Sequence, residues 1–230
     1  GPHRPTYAAV DGEERGWVAS VANDFVAVMG RFGGVVRTIN IPTPGRMFFD
    51  GTHMWVASAG ITLRKINPAT FTEVGTFFTG GLNPGLMAFD GNHLWVVNHG
   101  SNNIAKLRPS DGVVLATLPT SANITGIAFD GANLWIVNGG DNTISVIRVA
   151  DHATIATLPT GAAPGGIASD GRFMYVSNSG DNNATKFRIS DRKALATLFT
   201  GQQPTMVVTS GDFLWIYNAA TRSIGVYRLR

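Results

Sequence analysis

The chain spells one phrase six times. Asp-Gly pairs stand at Asp11, Asp50, Asp90, Asp130 and Asp170, with Ser210-Gly211 in the sixth place, at steps of 39, 40, 40, 40 and 40 residues. Five residues after the anchor lie Trp55, Trp95, Trp135, Tyr175 and Trp215, while Trp17 is displaced by one residue inserted in the first copy. Eight after it lie Ser58, Asn98, Asn138, Asn178 and Asn218, and six before it lie Pro5, Pro44, Pro84, Pro164 and Pro204, with Ile124 the exception. Self-similarity at a fixed period near forty is the signature of a repeat architecture, in which no single copy buries its own apolar face.

Each copy reads as four short strands. In the third they are Gly85–Phe89, His93–Asn98, Ile104–Arg108 and Val113–Leu118. Asp90-Gly91 supplies the first hairpin turn, because Asp-Gly tolerates the positive φ such turns need. No stretch carries apolar spacing at 3.6 residues over the ten or more residues of a helix. The runs LWVV and LWIV are apolar at every position, so both faces of those strands are covered. A blade held between two neighbours meets that condition. The expected architecture is all-β: a six-bladed β-propeller forming a single domain over residues 1–230, with repeats starting near 5, 44, 84, 124, 164 and 204.

The sixth copy stops after its third strand, so its blade is expected to be three-stranded, with residues 223–229 as an open edge that invites pairing with another chain. The five residues before the first strand hold Pro2 and Pro5 and cannot supply the missing strand, so closure without strand exchange is expected. Either the chain is trimmed here, or a partner covers the edge, or Arg222, Arg228 and Arg230 protect it.

The phrases WVVN, WIVN, YVSN and WIYN resemble the YVTN repeat of bacterial and archaeal propellers, and residues 164–188 resemble both that repeat and the NHL repeat. The resemblance spans nearly the whole chain. It implies that first strands line a central channel and that one face carries the loops between blades and between second and third strands. It does not imply one activity, because these propellers serve as enzymes, sensors, RNA binders and surface scaffolds. An extracytoplasmic or cell-surface location is the expectation.

Residues required in every copy read as scaffold. The recurrent Trp packs blade on blade, with ligand stacking the alternative. The recurrent Asn is expected to bond the backbone two residues on and set the following loop. Arg108, Arg148 and Arg188 precede Asp111, Asp151 and Asp191 by three residues and are expected to pair locally at a turn, while Arg228 holds the same place in the sixth copy. Function is sought where the copies disagree. Four residues before the anchor stand Tyr7, Arg46, Leu86, Gly126, Gly166 and Met206. Tyr7, Arg46, Leu86 and Met206 therefore line one channel mouth asymmetrically, as a binding surface or as a plug. His99, Asp141 and Asp181 lie on the surrounding loops, the two Asp residues either helping to bind a cation or polar ligand or simply shaping turns.

Several classes are disfavoured. The chain has no Cys, which removes disulfides, thiol nucleophiles and thiolate metal sites. The net charge of +3 comes from scattered residues, with no run of like charges to make a nucleic-acid patch. No apolar run reaches the roughly 20 residues of a membrane helix, and no leader peptide is recognisable, although a Gly1-Pro2 start is compatible with proteolytic trimming. His53 and His93 fall in first hairpin turns and His152 in a third-to-fourth-strand turn, while His3 and His99 fall at the other end of the blades, two blades apart. That distribution offers no catalytic triad. Some related propellers are calcium-dependent lactonases or phosphotriesterases, and streptogramin lyases share a related repeat. The first strands here lack the carboxylates that a hard cation requires. No catalytic residue, cofactor or metal ligand is assigned. The favoured expectation is a non-enzymatic propeller that binds a protein or small molecule, and the alternative is a propeller-type hydrolase or lyase.

Overall fold

The structure, a computed structural model, describes residues 6–229; the expectations placed on Pro2, His3, Pro5 and Arg230 lie outside them. Six antiparallel sheets follow one another along the chain, five of four strands and the last of three. The only helical element among the described residues is one 3₁₀ turn, Val21–Asn23. The chain divides into two compact units, one ending at Pro119 and one starting at Thr120.

The first unit holds three blades: β1 (Tyr7–Val10), β2 (Gly16–Ser20), β3 (Phe25–Met29) and β4 (Val35–Asn40); β5 (Met47–Phe49), β6 (Met54–Ser58), β7 (Thr62–Asn67) and β8 (Thr72–Phe78); β9 (Pro84–Phe89), β10 (Leu94–Asn98), β11 (Asn103–Leu107) and β12 (Val114–Pro119). Within each blade the strands pair in sequence order. The face bearing Trp17 packs on Met54, Val56 and Ile66 of the second blade. Trp55 packs in turn on Leu94, Val96, Ala105 and Leu107 of the third. β6 and β10, the second strands of the second and third blades, are buried throughout their length, as sheets covered on two sides require.

The second unit repeats the plan: β13 (Ile124–Phe129), β14 (Asn133–Asn138), β15 (Thr143–Arg148) and β16 (Thr154–Pro159); β17 (Pro164–Ser169), β18 (Phe173–Asn178), β19 (Asn183–Arg188) and β20 (Ala194–Phe199); β21 (Pro204–Ser210), β22 (Phe213–Asn218) and β23 (Ser223–Arg228). Trp135 packs on Met174, Val176 and Phe187, and Tyr175 on Leu214 and Ile216. β23 is a sheet edge, as the missing fourth strand requires. In each four-stranded blade the third and fourth strands carry one register shift near the end of the third, for example between Lys106 and Leu107 and between Val146 and Ile147. Such bulges increase local twist.

The anchor Asp does more than turn the chain. In the third blade Asp90 Oδ1 accepts the N–H groups of Asn92 and His93, and Oδ2 accepts the Trp95 indole N–H at 2.8 Å. Gly91 takes the positive φ, +93°, between them. The same indole bond recurs from Trp55 to Asp50 and from Trp135 to Asp130, both at 2.7 Å, and Tyr175 donates its hydroxyl to Asp170 at 2.9 Å. The inserted residue in the first blade leaves Trp17 still bonded to Asp11, at 2.8 Å. Burial opposes ionisation of Asp11, Asp50 and Asp90, yet the indole and backbone donors outweigh it and hold all three below the usual carboxylate range.

The recurrent Asn acts differently from expectation. Its side chain does not bond the backbone two residues on; it bridges to the third strand. Asn138 Nδ2 donates to Thr143 Oγ1 and Ser145 Oγ, and Asn178 Nδ2 to Asn183 Oδ1 and Thr185 Oγ1. Asn98 also reaches the end of the preceding repeat, donating to the Thr79 carbonyl and accepting from its hydroxyl. These Asn side chains point into a buried layer, where a partner five residues on lies directly across the sheet, as in the pair Asn98 and Asn103. The Arg–Asp pairs form as expected, at 3.0, 2.8 and 3.0 Å, with all six side chains at least one-third exposed.

Candidate functional site

In the first unit, three repeat-breaking side chains from three successive blades come together. Tyr7 begins β1. Arg46 immediately precedes β5, its carbonyl held by the Ala57 N–H. Its guanidinium carbon stands 5.4 Å from the centre of the Tyr7 ring, within cation–π range. His99 follows β10 and is fixed by its N–H to the Asn83 carbonyl at 3.0 Å. The floor between Arg46 and His99 is Gly85. A Cβ there would come within 2.8 Å of two atoms of the His99 ring and 3.8 Å of Arg46 Cδ, so the absence of a side chain is what admits the imidazole. Leu86, the next residue, is half-buried beside it.

The electrostatics of this cluster are one-sided. Arg46 is exposed, and among the described residues no carboxylate pairs with it. Desolvation, and then the positive charge of Arg46, lower the His99 pKa, so its imidazole is neutral at pH 7. The surface thus offers one uncompensated cation, one neutral donor–acceptor ring and one phenol. That set suits an anionic group attached to a planar or apolar body.

The remaining sequence-assigned residues lie in the second unit. Met206 pairs with Tyr217 and stands on the outer face of the last sheet. At the equivalent positions Gly126 and Gly166 let the next first strand approach closely: a Cβ on Gly166 would sit 3.0 Å from the Thr205 carbonyl oxygen and the Val207 nitrogen. Asp181 accepts the Ala162 N–H at 2.8 Å and so shapes its loop. Asp141 is exposed, its N–H bonded to the Asn138 carbonyl. Nearby, an open cavity of about 250 Å³ is lined by Asn123, Thr125, Gly139, Pro164, Gly165 and Thr205, among others. A second hollow of similar volume, at the opposite ends of the strands, is bordered by Asp170, Arg172, Phe173, Tyr175, Lys186 and Asp212. Lys186 Nζ lies 3.8 Å from the Phe173 ring centre there. Sequence reasoning missed Gly85 and Lys186. The signal for Lys186 was present, since Lys65, Lys106 and Lys186 all sit opposite the recurrent aromatic residue, within 5.2–5.5 Å of its ring.

His53 and His93 lie in first hairpin turns, with His93 Nδ1 3.3 Å from Asp90 Oδ2, and His152 lies in a third-to-fourth-strand turn. Among the described residues no three His, Asp or Glu side chains are grouped as metal ligands, and no helix is long and apolar enough to cross a membrane.

Six consecutive antiparallel blades, each built to one 40-residue rule, define a six-bladed β-propeller fold. Solved structures share the fold. Over its full length the chain is similar to a catalytically inactive virginiamycin B lyase from Staphylococcus aureus, solved with quinupristin, at 16% identity, a TM-score of 0.82 and 82% coverage of that chain. Over 98% of its length it is similar to the Kuenenia stuttgartiensis hydrazine synthase, at 17% identity, TM-score 0.77 and 83% coverage of that chain. A chain of the mitotic checkpoint complex matches 99% of it at 14% identity and TM-score 0.86, with 76% of that chain covered. At these identities the likeness is one of fold. No protein-family profile and no curated sequence matches the chain.

Proposed function

We propose that the protein is a binding module of the propeller type, located outside the cytoplasm or at the cell surface, as the YVTN/NHL-like repeat suggests. Its contact surface is the Tyr7–Arg46–His99 cluster with Leu86 beside it, and its ligand presents an anion next to an apolar or aromatic body. The observation that carries this reading is Arg46: a guanidinium stacked on Tyr7, set against a neutral imidazole and left without a carboxylate among the described residues. Met206, Asp141 and Asp181 belong to the second unit and form secondary candidates, and the β23 edge is a further place for strand pairing with a protein partner. The test is a titration with benzoate as probe, read from the His99 ring resonances. Saturable shifts in the wild type that vanish in Arg46→Ala support the reading; no saturable shift at millimolar benzoate overturns it.

A second reading, a propeller-type hydrolase or lyase acting on a small molecule, is supported by the fold shared with two streptogramin-type lyases, the second at TM-score 0.81. Offering quinupristin to the protein with and without a divalent cation tests it. Consumption of quinupristin would establish this reading over the first.

A further inference from the structure

The last sheet has two unlike faces. One carries Val207, Leu214 and Ile216, buried against the fifth blade. The other is built from three registered strands. Met206 pairs with Tyr217 and Val208 with Trp215; across β22, Tyr217 pairs with Ile224, Trp215 with Val226 and Phe213 with Arg228. Seven apolar side chains on this outer face, Met206, Val208, Phe213, Trp215, Tyr217, Ile224 and Val226, are 38–61% exposed. Together they present on the order of 600 Å² of apolar surface, at the upper limit of what a soluble monomer leaves open and close to one side of a standard protein interface.

The rest of the molecule shows what belongs on such a face. It is the face that carries the recurrent aromatic residue. Trp17 and Trp55 in the first unit, and Trp135 and Tyr175 in the second, place this same face on the following repeat, and each becomes completely or almost completely buried. The receiving side is mainly aliphatic or sulfur-containing, with Met54, Val56 and Ile66; Leu94, Val96 and Leu107; Met174 and Val176; and Leu214 and Ile216, joined by Phe71 against Trp17 and by Phe187 against Trp135. The solved propellers to which the chain is similar are longer than it by roughly 40–70 residues, as their 76–83% coverage implies, which is room for at least one further repeat of this period.

We infer that the outer face of the β21–β23 sheet is a docking surface for one more β-sheet of this repeat's own kind, a sheet presenting aliphatic side chains at the places Leu94, Val96 and Leu107 hold. The aromatic row Phe213, Trp215 and Tyr217 supplies the contact, as Trp17, Trp55, Trp135 and Tyr175 do in their blades. The sixth anchor departs from the rule in one respect: Ser210 replaces the Asp that fixes the indole elsewhere, so Trp215 is positioned by the incoming sheet rather than by its own turn.

The emission of this protein makes the test simple. Trp17, Trp55, Trp95 and Trp135 are 0% exposed and Trp215 is 41% exposed, so acrylamide quenching reports Trp215. A fusion carrying a second copy of residues 84–123 after Arg230 provides the partner sheet. The expected result is a several-fold fall in quenching and a higher Tm. Trp215→Asp should erase the gain in Tm in the fusion, while lowering the Tm of the 230-residue chain only by the few degrees that a half-exposed side chain contributes. Unchanged quenching, or a fused repeat that stays protease-sensitive, overturns the inference. Concentration-dependent dimerisation of the 230-residue chain that itself protects Trp215 also overturns it, in favour of a second copy meeting this face like to like.

Discussion

Trp135 and Trp215 occupy the same place in two repeats and sit in opposite environments, so truncating each isolates what blade packing contributes. Trp135 is fully buried on Met174, Val176 and Phe187, with its ring 6.1 Å from that of Phe187, and its indole N–H donates to Asp130 at 2.7 Å. An indole buries on the order of 200 Å², which at 25 cal/mol per Å² corresponds to about 5 kcal/mol before the unfolded chain's own burial is subtracted. Measured Trp truncations in cores give about 3–5 kcal/mol, and Trp135→Ala is expected in that range. Asp130 Oδ2 keeps a donor in Asn133, so little is added for a stranded carboxylate. Trp215 is 41% exposed and lacks the anchoring Asp, so Trp215→Ala is expected to remove about 1–2 kcal/mol. Urea melts at micromolar protein, followed by circular dichroism, compare the two midpoints at equal slope. A Trp215→Ala shift as large as that of Trp135→Ala would show that the open face is covered in solution and that the burial argument is wrong.

Arg148→Ala should change stability by less than about 1 kcal/mol, because both partners of its pair are about half exposed; a urea midpoint shift beyond that would mean the turn depends on the pair. Asn98→Leu should destabilise by about 1–3 kcal/mol, since it leaves Thr79 and Asn103 without their buried partner, and the same melts measure it. Acid should weaken the fold through Asp11, Asp50 and Asp90. Their pKa values are lower folded than unfolded, so their contribution is complete above the unfolded value of about 4 and is lost as pH falls through the folded values. Thermal melts between pH 6 and pH 2.5 should show that decline, and it should be shallower in Asp50→Asn. Arg46→Ala should raise the His99 pKa, because a positive neighbour is removed, while desolvation keeps it below the ordinary histidine value; an NMR titration of the ring reads the shift directly.

The period of the anchor residues carried the fold into view, because a propeller repeats one packing problem and therefore one sequence solution. Strand boundaries in the third copy fall within one residue of expectation. The Asp-to-Trp spacing of five was equally visible in the sequence, yet its meaning was not. Only the folded hairpin brings Oδ2 onto the indole. The role of the Asn was hidden for a similar reason, since its partners lie on the neighbouring strand rather than nearby in the chain. The site was partly legible. The position four before the anchor picked out Tyr7 and Arg46, and the loop reading added His99, but sequence grouped Met206 with them. Met206 holds the same place in its own blade, opposite Tyr217, and belongs to the second unit, where it forms part of the open face of the last sheet.

In the third, fourth and fifth blades, where anchor Asp and recurrent Asn are both present, two clamps leave one connection comparatively loose. The first hairpin is tied to the core through the Asp–indole bond, and the second through the Asn bridge. The turn between third and fourth strands is tied chiefly by its own backbone, with Gly112 N–H to the Arg108 carbonyl, and by a surface ion pair. In the third blade the buried Lys65 also donates to the Pro109 carbonyl at 2.7 Å, so sequence lengthens most readily at the exposed counterparts Ala150–Asp151 and Ser190–Asp191. These rims are the natural places for a protease to nick the folded chain first, and for a grafted loop or an affinity tag to be carried with the blades intact.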